Sequence, residues 1–150
     1  MSVEIVLSNW QRIRSKLLET IECFHDEDLP FTPVEGHWTV RELMLHIAHE
    51  EMIEVVYGTI QETREFPAEF QTEEYLTVES IVVLLTEVHA QTVDYLNSLS
   101  DSDFDRTITA PWNSEFVIGY MIGHTMEHEA HHRGELSLML GLLGREAPDF

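Results

Sequence analysis

The sequence predicts an all-α fold, a four-helix bundle. Four long segments carry apolar residues at spacings of three and four, no segment alternates convincingly as a strand, and no stretch repeats internally. A long connection separates the second helix from the third. At 150 residues the chain has the size of one domain, residues 1–150, and can bury a core without disulfides or structural zinc.

The first helix runs from Val3 to about Phe24, with Val6, Trp10, Ile13, Leu17, Ile21 and Phe24 forming its apolar face and Gln11, Arg12, Ser15, Lys16 and Glu19 lying between them. Pro30, Pro33 and Gly36 mark the loop that follows. Thr39-Val40-Arg41-Glu42 fits a capping box, in which the Thr hydroxyl accepts from the third amide and the Glu reaches back to the cap amide, so the second helix starts there. Its face of Leu43, Ile47, Met52, Val55, Val56 and Ile60 continues as far as Phe66-Pro67. Phe66 to Leu76 has no period and reads as the connection. Thr77 caps a third helix built on Val78, Ile81, Leu84, Leu85, Val88 and Leu96, which ends in the turn-forming residues 98–103. Thr107 to Trp112 can be extended, yet is too short and isolated to hold a sheet. Asn113 or Ser114 caps the fourth helix, which continues along Leu136, Leu138, Met139, Leu140, Leu142 and Leu143 to a C-terminal cap at Gly144.

Composition excludes several classes. Eight Lys and Arg against 28 Asp and Glu give a net charge of −20, which repels phosphate backbones and anionic lipid, so neither a nucleic acid nor a membrane is the expected partner. No apolar run approaches the roughly 20 residues of a membrane span, and Met1-Ser2-Val3-Glu4 lacks the features of a signal peptide, which gives a cytoplasmic expectation. The single cysteine, Cys23, has no partner for an internal disulfide and, beside Phe24, reads as a small buried core residue.

Chemistry concentrates in one stretch, His124 to Glu135, which holds four of the nine histidines. His124, His128 and His132 recur every fourth residue and share a helix face. They cannot all bind one ion, because eight residues of helix rise roughly 12 Å, too far for metal–nitrogen bonds of about 2.0 to 2.1 Å. One metal takes 124 with 128, or 128 with 132, and needs a third ligand from elsewhere. His46 supplies it, on the core-facing early part of the second helix among Leu43 and Ile47, and a triad of His46, His128 and His132 follows. Three neutral imidazoles with open positions are what a catalytic zinc-like site requires, and nickel and iron also suit imidazole.

Two rival motifs fit less well. His128-Glu129-Ala130-His131-His132 satisfies H-E-x-x-H, the zinc-protease signature, but the extended form needs Gly at 135 and His at 138, where Glu135 and Leu138 stand. A di-iron carboxylate site wants Glu-x-x-His on two helices; Glu22-x-x-His25 and Glu129-x-x-His132 qualify, but His25 falls at the acidic end of the first helix. His49, Glu50 and His124 lie close enough in sequence to the ligands to orient them or handle protons. His25, His37 and His89 read as solvent-exposed, and His131 as facing away from the 128/132 pair.

Trp10, Trp38-Thr39-Val40-Arg41-Glu42-Leu43 leading to His46-Ile47 with Glu51 beyond, and His124-x-x-x-His128-Glu129-x-His131-His132-Arg133-Gly134-Glu135-Leu136 before Leu143-Gly144 together resemble the DinB/YfiT-like metal-dependent four-helix bundles. The resemblance covers nearly the whole chain. It implies that His46, His128 and His132 ligate a divalent metal, that the chain pairs as a homodimer, and that a low-molecular-weight thiol can be a co-substrate, as in relatives that transfer such thiols. It further implies that Arg133 is an ion-pair partner and that Gly134 allows close helix approach; Glu135 stands where many relatives have Gln. Two functions are expected from this reading. One is an enzyme that activates a thiol or water for attack on an electrophilic small-molecule substrate, as a transferase or hydrolase. The other is a metal-binding or small-molecule-binding protein without turnover.

Overall fold

The computed structural model describes residues 2–149. Helices α1 (Val3–Ile21), α2 (Val40–Glu51), α3 (Val78–Ser98) and α4 (Ile118–Leu142) build a four-helix bundle. α1 and α2 each pack against both α3 and α4, which sets α1 and α2 on opposite corners.

The capping box forms as its spacing requires. Thr39 Oγ1 accepts from the Glu42 amide at 3.2 Å, and the Glu42 carboxylate accepts from the Thr39 amide at 2.7 Å. Thr77 caps α3 in the same way through the Ser80 amide. At the far end of α4, Gly144 takes a left-handed φ of 75°, and the Arg145 amide reaches back to the Leu140 carbonyl at 2.9 Å, a geometry that glycine adopts without a Cβ clash.

Three elements differ from the periodicity reading. The second helix does not run to Phe66: after Glu51 it widens into a π-helical stretch, Met52–Ile60, and stops, with Glu62 at φ 49°. Thr107 to Thr109 (β1) is extended and does pair, antiparallel with Glu115–Val117 (β2), Ile108 opposite Phe116. Its partner was hidden inside the segment read as the start of the fourth helix. Asn113 therefore serves the hairpin turn at φ 66°, a left-handed conformation that Asn tolerates, and α4 begins only after Val117. The Ile118 amide is satisfied instead by the Arg106 carbonyl at 3.0 Å.

The interior divides into two apolar halves. Leu17, Ile21, Leu43, Ile47, Ile81, Leu85, Leu136 and Leu140 fill one. Val6, Trp10, Val55, Leu96, Ile108, Ile118 and Ile122 fill the other. Between them lies a buried polar layer, one side chain from each helix: Arg14, Glu51, His89 and Glu129. Cys23 is partly rather than fully buried, against the first cluster, and donates to the Glu19 carbonyl at 3.3 Å. Gly134 does not serve a close helix approach, since a Cβ there would meet nothing within 4 Å and the residue is exposed. Close approach occurs at Gly58, where a Cβ would lie 3.0 Å from the Ile53 carbonyl oxygen.

Candidate metal centre

His46 projects from α2 toward α4, where His128 and His132 stand one turn apart, and the three rings meet edge to face. His46 Nε2 lies 3.1 Å from His128 Nε2, and His132 Nε2 lies 3.0 Å from the same atom. All three nitrogens fall in one small volume, an arrangement that could hold a metal ion.

Neutral rings alone satisfy this geometry poorly. The Glu135 carboxylate sits 2.5 Å from His132 Nδ1 and fixes the proton there, so His132 Nε2 presents a lone pair to the centre. His128 Nε2 meets two nitrogens but carries at most one proton, so only one of the two contacts can be a good hydrogen bond. A cation at the centre relieves both. Two imidazoles bound to one tetrahedral ion at about 2.05 Å have nitrogens about 3.3 Å apart, close to the separations found. The donor set therefore fits a divalent metal.

Burial above all keeps two of the rings, His46 and His128, neutral. Burial, and then the neighbouring His132, push His46 down to about 4 from 6.5. The same causes, with His46 added, push His128 down to about 3. In the metal-free protein the stability that depends on neutral rings is complete above pH 6.5, the unfolded value, and is lost as the pH falls toward the folded values. Chelator-treated protein is thus expected to lose on the order of 1 kcal/mol at each of His46 and His128 by about pH 5, about half of the full linkage value because both rings are partly solvated. Urea midpoints measured from about pH 7 to 5 check this, and a midpoint constant over that range counts against the depressed values.

The neighbours expected to support the ligands fare unequally. Glu50 Oε1 stands 3.8 Å from His46 Nδ1, near enough to bias its tautomer. His49 lies with its Nε2 3.4 Å from the Pro67 carbonyl and borders a cleft next to His46. His124 belongs to another group: its Nε2 is 3.2 Å from the buried Glu54, whose other oxygen accepts from Thr125 at 2.7 Å, while its ring stacks on Tyr120. Burial raises the Glu54 carboxyl. His131 is exposed, as expected, with Nε2 3.8 Å from Glu135. His25 and His37 are exposed too.

Two residues depart from the sequence reading. His89 is buried, not exposed: its Nδ1 lies 2.8 Å from Glu51 Oε1 and its ring packs edge-on against Trp10. Its position on the inward stripe with Leu85 and Thr92 was the available signal. Glu135 is more than a family variation, since a carboxylate three residues beyond His132 is at helical hydrogen-bonding distance. Glu129, the would-be base of the protease motif, is turned inward and held by Trp10 Nε1 at 2.9 Å and Arg14 at 2.8 Å. It cannot serve a reaction at the histidines.

Comparison with known proteins agrees with this architecture. YfiT of Bacillus subtilis, provisionally named a metal-dependent hydrolase, is 26% identical over 146 residues, covering 87% of this chain and 82% of that protein. A DinB-like protein from Bacillus cereus has the same fold at a TM-score of 0.82 and 18% identity, covering 98% of this chain and 96% of that one. The colibactin self-resistance protein ClbS, solved with double-stranded DNA, matches at a TM-score of 0.72 and 19% identity over 93% of this chain and 96% of its own. Relatives provisionally named metal-dependent and a convergent histidine cluster fit together. A model of the DinB superfamily matches residues 9–136, and the chain belongs to that superfamily.

Proposed function

We propose that His46, His128 and His132 ligate a divalent metal ion, zinc first with nickel or iron as alternatives, and that the site turns a low-molecular-weight thiol or water on an electrophilic small molecule. The convergence of three imidazole Nε2 atoms beside an open cleft carries this reading. A divalent ion held there lowers the pKa of a thiol or water and so supplies a nucleophile at neutral pH. The chain's own groups do the rest. Glu135 holds the His132 proton on Nδ1, Glu50 leans on His46, and the Trp38 ring, 4.3 Å from His46, shields one side of the cluster from water. His49, in the cleft wall, is the group placed to take or return a proton.

The test is a panel of electrophilic chromogenic dyes with small thiols, and of activated esters without them, on metal-loaded protein and on His128→Ala. Thiol-dependent turnover lost in the variant supports a transferase. Turnover with no thiol present rejects the transferase in favour of hydrolysis. Tight ligand binding with no turnover on either panel leaves the second reading, a binding protein, which the inward turn of Glu129 favours by removing one general base from the site.

The fold of a protein solved with DNA does not make this chain a DNA-binding one: the net charge of −20 opposes phosphate, and a small molecule is the proposed partner. No helix among the described residues is long and apolar enough to cross a membrane. We carry the homodimer forward as a proposal from the family, checked by molar mass in solution.

A further inference from the structure

We propose that the cleft beside the histidine cluster is built for a small organic cation, an amine-bearing substrate, and disfavours anionic ones. The inference deepens the function proposed above and rests on the cleft being its substrate site. The cleft holds about 350 Å³, within the range of small-molecule sites, and His46 forms part of its wall. Three carboxylates line it, Glu42 from the first turn of α2 and Glu69 and Glu73 from the connection that crosses above, and no Lys or Arg does.

Glu42 is a fixed negative charge. The Thr39 amide and hydroxyl both donate to it, and these bonds hold its carboxyl below the usual range. Arg41, beside it in sequence, adds to that effect but does not line the cleft. Two aromatic rings complete the wall. Trp38 lies tilted against His46 yet remains 43% exposed, and Phe70 is held edge-on by His49 at 6.1 Å and Tyr75 at 5.8 Å. Aromatic faces attract ammonium groups, and a concave acidic wall on a protein of charge −20 concentrates cations before contact. Apart from the metal ion proposed at the histidine cluster, whose charge chelation removes, a carboxylate-bearing substrate or thiol would meet three like charges with no Lys or Arg in the wall to offset them. An aminothiol or an amine-bearing electrophile would meet complementary ones.

The experiment titrates phenethylammonium, its neutral isostere phenethyl alcohol and the anion phenylpropionate into the protein by calorimetry, as purified and again after chelation. Metal content is measured on the same samples. The cation is expected to bind at least about tenfold more tightly than the anion, with the alcohol between, in both states and less so at high salt. In Glu69→Gln/Glu73→Gln, two exposed positions whose change spares the core, the ratio is expected to fall by about threefold or more. Equal affinities after chelation, a tighter anion, a ratio unchanged in the double variant, or no binding of any probe at millimolar concentration overturns the proposal. Cation preference in protein that never holds metal sinks the metal reading and leaves this one standing; metal without preference does the reverse.

Discussion

His128→Ala is expected to remove metal binding outright, because His128 is the hub whose Nε2 faces both other rings. At metal about a hundredfold above Kd, binding stabilises the folded wild type by about 2.7 kcal/mol. For a chain of this size, at about 2 to 4 °C per kcal/mol, that is a rise in Tm of about 5 to 11 °C. The variant is expected to show no rise and no metal by elemental analysis, and His46→Ala and His132→Ala are expected to match it. Glu135→Gln is the graded control. It keeps a hydrogen-bond acceptor for His132 Nδ1–H but removes the charge, and metal should bind about 10- to 100-fold more weakly rather than be lost. A cluster that is merely polar gives the opposite pattern: no metal in the wild type, and His128→Ala flattening the acid sensitivity of the metal-free protein with no other effect. Metal retained in His128→Ala at wild-type affinity sinks the triad.

The convergence of His46, His128 and His132 is legible in the sequence because its signals are local or nearly so. A four-residue spacing put His128 and His132 on one face, and the capping box at Thr39 set the phase of α2, which aims His46 inward. The hairpin was not legible, since Glu115-Phe116-Val117 can begin a helix as easily as end a strand and only pairing with Thr107 to Thr109 decides it. The π-helical stretch leaves no trace in composition, because Val55, Val56 and Ile60 suit either winding. The polar layer was hidden for a different reason. Arg14 falls on the apolar stripe between Trp10 and Leu17, where local periodicity treats it as noise; its partners Glu51 and Glu129 are 37 and 115 residues away. A charge at an inward helix position was the one available signal, and it needed a partner that sequence alone does not name.

Arg14→Met is expected to cost about 3 to 5 kcal/mol, the usual penalty for stranding a buried charge. Arg14 Nη2 binds Glu51 Oε2 at 2.5 Å and Glu129 Oε2 at 2.8 Å, and all three side chains are buried. Burial pushes the Glu51 carboxyl up, but the Arg14 charge and the His89 hydrogen bond outweigh it, so Glu51 sits below its ordinary value. Glu129 differs, since burial prevails over Arg14 and its carboxyl is raised. Its Oε1 and His89 Nε2 find no hydrogen-bond partner among the described residues, so the layer is costly even when intact. Without the guanidinium, both carboxylates lose their counter-charge, and Tm should fall by about 6 to 20 °C. The triple variant Arg14→Met/Glu51→Gln/Glu129→Gln keeps acceptors for His89 and Trp10 while removing the guanidinium and both carboxylates of the layer, and should recover most of that loss. A single variant costing under about 1 kcal/mol would show the ion pairs to be idle. The triple variant also tests why such a layer persists one residue from His128. Glu129 is tied to α1, at Trp10 and Arg14, from a position on α4 next to His128 and three residues before His132, so the layer fixes the rotation of α4 about its axis. Metal affinity in a stable triple variant is therefore expected to fall by about tenfold or more, as it does when ligands lose their orienting partners. Wild-type affinity there would confine the layer to the bundle's folding.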